Sequence, residues 1–179
     1  LGGVTIFGVT QYQKKKAAKE YAESVKTYSD NLELATVTML KGAGDAEDCG
    51  NLIKNVWYNA IYKEKDDETD KYTRPGGYFV SDFNDALGNL FVDSSFSSKI
   101  DSIDKNQDTV NSLMKKLKNP PEEYKDAYDA LSDFYDAYLA LTGCATDPSG
   151  SLQTYSSTFN DADTDTLNAY KAMQQYLGD

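Results

Sequence analysis

The spacing of apolar residues constrains this chain more than any other feature. Tyr21, Val25, Tyr28, Leu32, Ala35 and Met39 recur at intervals of 4, 3, 4, 3 and 4. Further on, Phe96, Ile100, Ile103, Gln107, Val110, Met114 and Leu117 step 4, 3, 4, 3, 4 and 3, with Gln107 the one polar member. That rhythm places one apolar seam along a helix, because positions three and four apart share a face. No segment alternates β-branched and polar residues over a strand's length, so the period of two that marks a sheet is missing. The expected fold is all-α, an antiparallel helical bundle of about five longer helices plus one or two short ones. A single domain over residues 10–179 suits a chain of 179 residues.

The seams give the expected order of elements. A helix runs from about residue 10 to 41, and Gly42 and Gly44 are expected to break it. Asp45 then reads as an N-cap, with Glu47 and Asp48 in the first turn of a second helix. That helix points Cys49, Ile53, Val56, Trp57, Ala60 and Ile61 inward and pairs antiparallel with the first. Glu64 to Gly77, with Asp66, Asp67, Glu68 and Asp70, reads as a long hydrated loop. Phe83, Leu87, Leu90 and Phe91 mark a short helix capped by Ser81 or Asp82. Pro120 and Pro121 separate the helix ending near Leu117 from the next one. There Tyr124, Tyr128, Leu131, Tyr135 and Tyr138 form one stripe and Asp126, Asp129, Asp133 and Asp136 another, about 200° away. After Asp147-Pro148-Ser149-Gly150-Ser151, Leu152, Tyr155 and Phe159 begin a helix. Asn160 to Thr164 is expected to cap a separate closing helix carrying Leu167, Tyr170, Gln174 and Leu177.

Residues 1–9, Leu-Gly-Gly-Val-Thr-Ile-Phe-Gly-Val, carry no charge, and Lys14, Lys15, Lys16 and Lys19 follow closely. Nine residues cannot cross a bilayer, which takes about 20. The stretch reads as the tail of a truncated apolar signal or anchor segment, which would place the domain outside the cytoplasm. The lysines pull the other way, since positive charge favours the cytoplasmic side.

Charge and composition exclude several functions. Lys and Arg number 18 against 29 Asp and Glu, a formal net charge of −11. Residues 120–179 hold eleven acids against Lys125 and Lys171, a balance of −9. Broad nucleic-acid binding is excluded, because it needs clustered cations, and Arg74 is the only arginine. There is no histidine, which removes Ser-His-Asp and Cys-His nucleophile systems and the commonest zinc ligand. Asp161, Asp163 and Asp165 imitate the start of a calcium loop, but its sixth and twelfth positions hold Thr166 and Ala172 where glycine and glutamate are needed. No phosphate loop, nucleophile elbow or metalloprotease motif is present. The expectation is therefore no catalytic residue, no cofactor and no metal, although carboxylate pairs acting alone would suit a hydrolase by type. Cys49 and Cys144 read either as small buried hydrophobes or as a disulfide contributing about 4–5 kcal/mol through loop closure. Asp126, Asp129, Asp133 and Asp136 form a candidate interaction face for a cationic partner.

Three segments, Asn119-Pro120-Pro121-Glu122-Glu123-Tyr124, Asp147-Pro148-Ser149-Gly150-Ser151-Leu152 and Phe159-Asn160-Asp161-Ala162-Asp163, carry a resemblance. They resemble a group of uncharacterised, signal-anchored or secreted helical proteins of Gram-positive bacteria, most strongly from about Asn51 onward. The resemblance implies an envelope location and brings no activity or cofactor. The expected function is a non-enzymatic extracytoplasmic domain that binds an envelope protein or extracellular ligand. The alternative is a ligand-sensing or solute-binding bundle with a pocket lined by tyrosines and Trp57.

Overall fold

One seam organises the molecule. In the computed structural model, which describes the backbone of residues 2–178 and the side chains of Gly8 and residues 10–178, the first helix, α1, runs unbroken from Gly2 to Tyr62. At 1.5 Å per residue it is about 90 Å long. Gly42 and Gly44 do not interrupt it, and Asp45 is an interior residue paired with Lys41 Nζ at 2.7 Å. The two expected antiparallel helices are one rod. The reason is visible in the buried positions Tyr28, Leu32, Ala35, Met39, Gly42, Ala46, Cys49, Ile53, Val56 and Ala60. They keep the 4, 3 rhythm through Gly42, so the packing of both halves favours continuing the helix over a local glycine penalty of about 1 kcal/mol. A Cβ at Gly42 would overlap the Asn106 side chain and lie 2.9 Å from Tyr138 Cε2. Gly42 is a place where two other helices come close. Ile61, off this seam, is 40% exposed instead of inward.

α1 ends in a left-handed cap formed without glycine. Lys63 has φ 58°, and the Glu64 N–H donates to the Asn59 carbonyl at 3.2 Å, the six-to-one bond of a Schellman turn. Lys63 is held in this unusual conformation by its ammonium, which donates to the Val80 carbonyl at 2.7 Å.

The stretch expected as a hydrated loop is partly core. A single turn, α2 (Asp70–Thr73), buries Thr69, Tyr72 and Thr73, and the buried Asn59 amide donates to Thr69 Oγ1 at 2.9 Å. Next come α3 (Phe83–Val92), capped by Asp82, and α4 (Ser94–Lys116), capped by Asp93. A 3₁₀ turn (Glu122–Tyr124) leads into α5 (Lys125–Thr146), and a capping box of Ser151 and Thr154 opens α6 (Leu152–Gln174). α6 is also continuous where a break and second cap were expected at Asn160–Thr164. Its buried face is Tyr155, Phe159, Ala162, Thr166 and Met173; Ala162 carries the seam through the acidic stretch. Leu167 is consequently 52% exposed.

The result is an all-α bundle with no strand among the described residues. α1 packs against α3, α4, α5 and α6, and α5 against α6. The core is continuous, from Tyr28 and Leu117 at one end to Trp57, Phe83 and Tyr155 at the other. The apolar stretch at residues 1–9 is helical in backbone from Gly2, and its side chains, Gly8 apart, lie outside the described residues.

Candidate binding surfaces

The tyrosines divide into two populations. Three are staples between helices, with the ring buried and the hydroxyl on a neighbour. Tyr28 Oη donates to the Leu117 carbonyl at 2.9 Å, Tyr138 Oη to Asn106 Oδ1 at 2.6 Å, and Tyr155 Oη to the Cys144 carbonyl at 2.8 Å. Asn106 completes its own junction by donating to the Thr38 carbonyl at 3.0 Å. Gln107, the polar member of the α4 seam, donates to Thr142 Oγ1 at 2.7 Å, which explains its tolerance there. Burial raises the Tyr28 phenol to about 12 and holds those of Tyr138 and Tyr155 still higher, so all three stay neutral through the physiological range.

The second population faces water. Tyr58 and Tyr62, one turn apart near the end of α1, have ring centroids 4.5 Å apart. With Ile61, Lys54 and the opening turn of α6 at Ser151 to Ser156 they line an open groove of about 690 Å³. Lys54 is fixed beside it, its ammonium 4.5 Å from the Phe159 ring centre and 3.1 Å from Asn160 Oδ1. Sequence reasoning missed this surface by assigning Ile61 to the core. The available signal was a second apolar set, Tyr58, Ile61 and Tyr62, displaced from the Trp57–Ala60 seam by about 100°. Trp57 does not join the groove. It is 3% exposed, stacked on Phe83 at 5.6 Å and tilted against Tyr155 at 5.6 Å.

The remaining sequence candidates separate in space. Asp126, Asp129, Asp133 and Asp136 are all exposed along the outer face of α5, with Ala127, Leu131, Phe134 and Tyr138 buried on the other side. Asp161, Asp163 and Asp165 sit inside the continuous α6, where a helix spreads neighbouring side chains around its axis and does not converge them as a loop can. Among the described residues no group of three or more acids and cysteines is gathered closely enough to hold a metal. Asp66 accepts from the Glu68 and Thr69 amides, ordering the turn before α2. The carboxyl of Asp70 is held below its usual value by the Asp66 amide, with Arg74 assisting and desolvation opposing. Arg74 itself is engaged by Asp70 at 3.2 Å, the Gly77 carbonyl at 2.6 Å and the Phe79 ring.

Cys49 on α1 and Cys144 on α5 are buried free thiols. Desolvation raises Cys49 to about 11, with Asp45 and Asp48 adding to it and Lys99 opposing, and burial also raises Cys144. Both are thereby kept as poorly nucleophilic thiols. Alkylation of the native protein at pH 8 is expected to be at least tenfold slower than in 6 M guanidinium, where two thiols should react without prior reduction. Mass spectrometry reads both results, and two unreactive sulfurs under denaturing conditions would establish a disulfide.

Compared with known protein families, characterised proteins and solved structures, the chain matches none.

Proposed function

We propose that this is a non-enzymatic, extracytoplasmic helical domain, held at the cell envelope by an apolar N-terminal segment, that binds a polypeptide partner through the Tyr58–Tyr62 groove. The groove carries the reading: two adjoining tyrosines, their rings tilted against each other, and an isoleucine are exposed on one helix while the core beneath them is filled. Aromatic side chains with polar ends are the residues that dominate interface energetics, and they lose little entropy on binding. An open groove favours a polypeptide over a small solute, because a small ligand needs most of its surface enclosed. The non-enzymatic reading is supported by the absence of histidine. It is also supported by the direction of the shifts, since the buried phenols and thiols are pushed away from neutrality and not toward it. The envelope location is supported by the resemblance of the three quoted segments.

A photo-crosslinking residue placed at Tyr62 in the full-length protein in its own cells is expected to yield one discrete adduct. The same residue at Asp129 should not yield it. Ile61→Asp is expected to reduce the adduct at least tenfold while changing stability by less than about 0.5 kcal/mol, as for an exposed site. No adduct at Tyr62, or one that Ile61→Asp leaves intact, rejects the groove. Survival of the domain in intact cells treated with external protease rejects the location.

A further inference from the structure

The part of α1 before the bundle has a charge pattern unlike the rest of the chain. Residues 1–19 contain four lysines and no acid, while the remainder carries 14 basic against 29 acidic residues, a balance of −15. The bundle begins near Tyr21, whose hydroxyl donates to Glu123 Oε2 at 2.8 Å. From Thr10 to Ser24 every side chain is exposed. Followed backward from Tyr28, the seam meets Val25, Tyr21 and Ala18 and then the polar Lys14 and Gln11, so its apolar content is interrupted across the basic segment. Without an apolar stripe this segment is not built to pack on another helix. Yet it is helical, supported by i,i+4 pairs of Lys16 with Glu20 and Lys19 with Glu23, both at 3.9 Å.

We propose that Lys14, Lys15, Lys16 and Lys19 form a collar that seats the projecting end of α1 on an anionic lipid bilayer. At 100° per residue the four span an arc of about 200°, so charge surrounds much of the helix and leaves no apolar face on which it could lie flat. An upright approach follows, with the uncharged residues 1–9 leading and the lysines reaching the headgroups. Tyr12, 67% exposed and on the line of Lys16 and Lys19, supplies the aromatic side chain that favours this interface. Lys14 and Lys15 have no acidic partner among the described residues, and the partners of Lys16 and Lys19 are exposed and weakly held. The acidic bundle is repelled by the same surface, which orients the molecule with its collar toward the lipid. No helix among the described residues is long and apolar enough to cross a membrane.

This inference rests on the membrane-anchored reading above, but its test is independent of the groove and of cellular location. The 179-residue chain is floated with vesicles of phosphatidylcholine alone and of phosphatidylcholine with phosphatidylglycerol at 3:1, in 0.1 M salt. Binding to the anionic vesicles is expected to be at least tenfold tighter, and to fall at least tenfold in Lys14→Gln/Lys15→Gln/Lys16→Gln/Lys19→Gln. Attraction of each lysine to an anionic surface is worth about fivefold, so the double change at Lys14 and Lys15 alone should weaken binding about 25-fold, about half of the quadruple variant's loss on a logarithmic scale. Circular dichroism checks that the variants remain helical. Equal binding to both vesicles, no binding to either, or full binding by the quadruple variant overturns the proposal. Equally tight binding to soluble polyphosphate at the same salt would make the collar a general anion site and overturn the lipid assignment.

Discussion

Gly50→Ala is expected to lower the unfolding free energy by about 3 kcal/mol, whereas Gly44→Ala is expected to raise it by up to about 1 kcal/mol. Both glycines lie in the interior of α1, where alanine is the better helix former by about that amount. Their surroundings decide the sign. Nothing lies within 4 Å of a Cβ built at Gly44, so the helical gain there is unopposed. A Cβ at Gly50 would overlap Phe159 Cε2 and come 2.6 Å from Cδ2 and 2.7 Å from Cζ. The ring has nowhere to go. Phe159 is fully buried, stacked against Tyr155 at 6.2 Å and covered by the Lys54 ammonium. Moving it disturbs the Tyr155 bond to the Cys144 carbonyl, and close-packed interiors respond to one extra methyl group with strain across several residues. Urea unfolding followed by helical circular dichroism measures both values. A Gly50→Ala protein as stable as the parent, or a Gly44→Ala protein less stable, contradicts the packing described.

The same glycines show where sequence legibility ends. The fold class was readable because two seams of six and seven positions repeat at helical spacing. The outer aspartate stripe of α5 was readable from a single helical projection. The continuity of α1 was not, because a glycine pair followed by aspartate and glutamate is also the local signature of a stop and a new start. What decides between them is Asn106 and Tyr138, more than 60 positions away in sequence, closing on Gly42. The break expected in α6 fails for a related reason. Asn160, Asp161 and Asp163 are good cap residues, but Ala162 and Thr166 bury against the bundle and keep the turn helical. Tertiary packing outweighed local capping in both places. The Tyr58–Tyr62 groove was illegible because its second wall, Ser151 to Ser156, comes from another helix, and a tyrosine's side of the helix follows only from the seam phase, which the false break at Gly42 obscured.

Alkali is expected to unfold this domain far more effectively than its net charge suggests, with about 6 kcal/mol lost between pH 9 and pH 11. The buried phenols and thiols set this window. Ordinary values are 10.0 for a phenol and 9.0 for a thiol; burial in the folded state raises Tyr28 to about 12 and Cys49 to about 11, and raises Tyr138, Tyr155 and Cys144 as well. A group that holds its proton more tightly when folded contributes its full stability below the unfolded value. That contribution is lost as pH climbs from the unfolded toward the folded value, because only the unfolded chain gains by ionising. Between pH 10 and pH 11 each of the three tyrosines removes about 1 kcal/mol, and Cys49 has been removing a similar amount per unit since pH 9. Domains of this kind are stable by about 5–15 kcal/mol in total, so pH 11 should bring this one close to its unfolding midpoint. With no histidine, stability should be level between pH 6 and pH 8. Urea titrations at pH 7, 9, 10, 10.5 and 11 supply the profile, and Tyr28→Phe identifies its source. Loss of that phenol should reduce the slope between pH 10 and pH 11 by about 1 kcal/mol per pH unit, leaving the Leu117 carbonyl without its donor at every pH. Equal stability at pH 8 and pH 11 would mean that the native state admits phenolate or thiolate, which a continuous helical core around Tyr28, Tyr138 and Tyr155 does not allow.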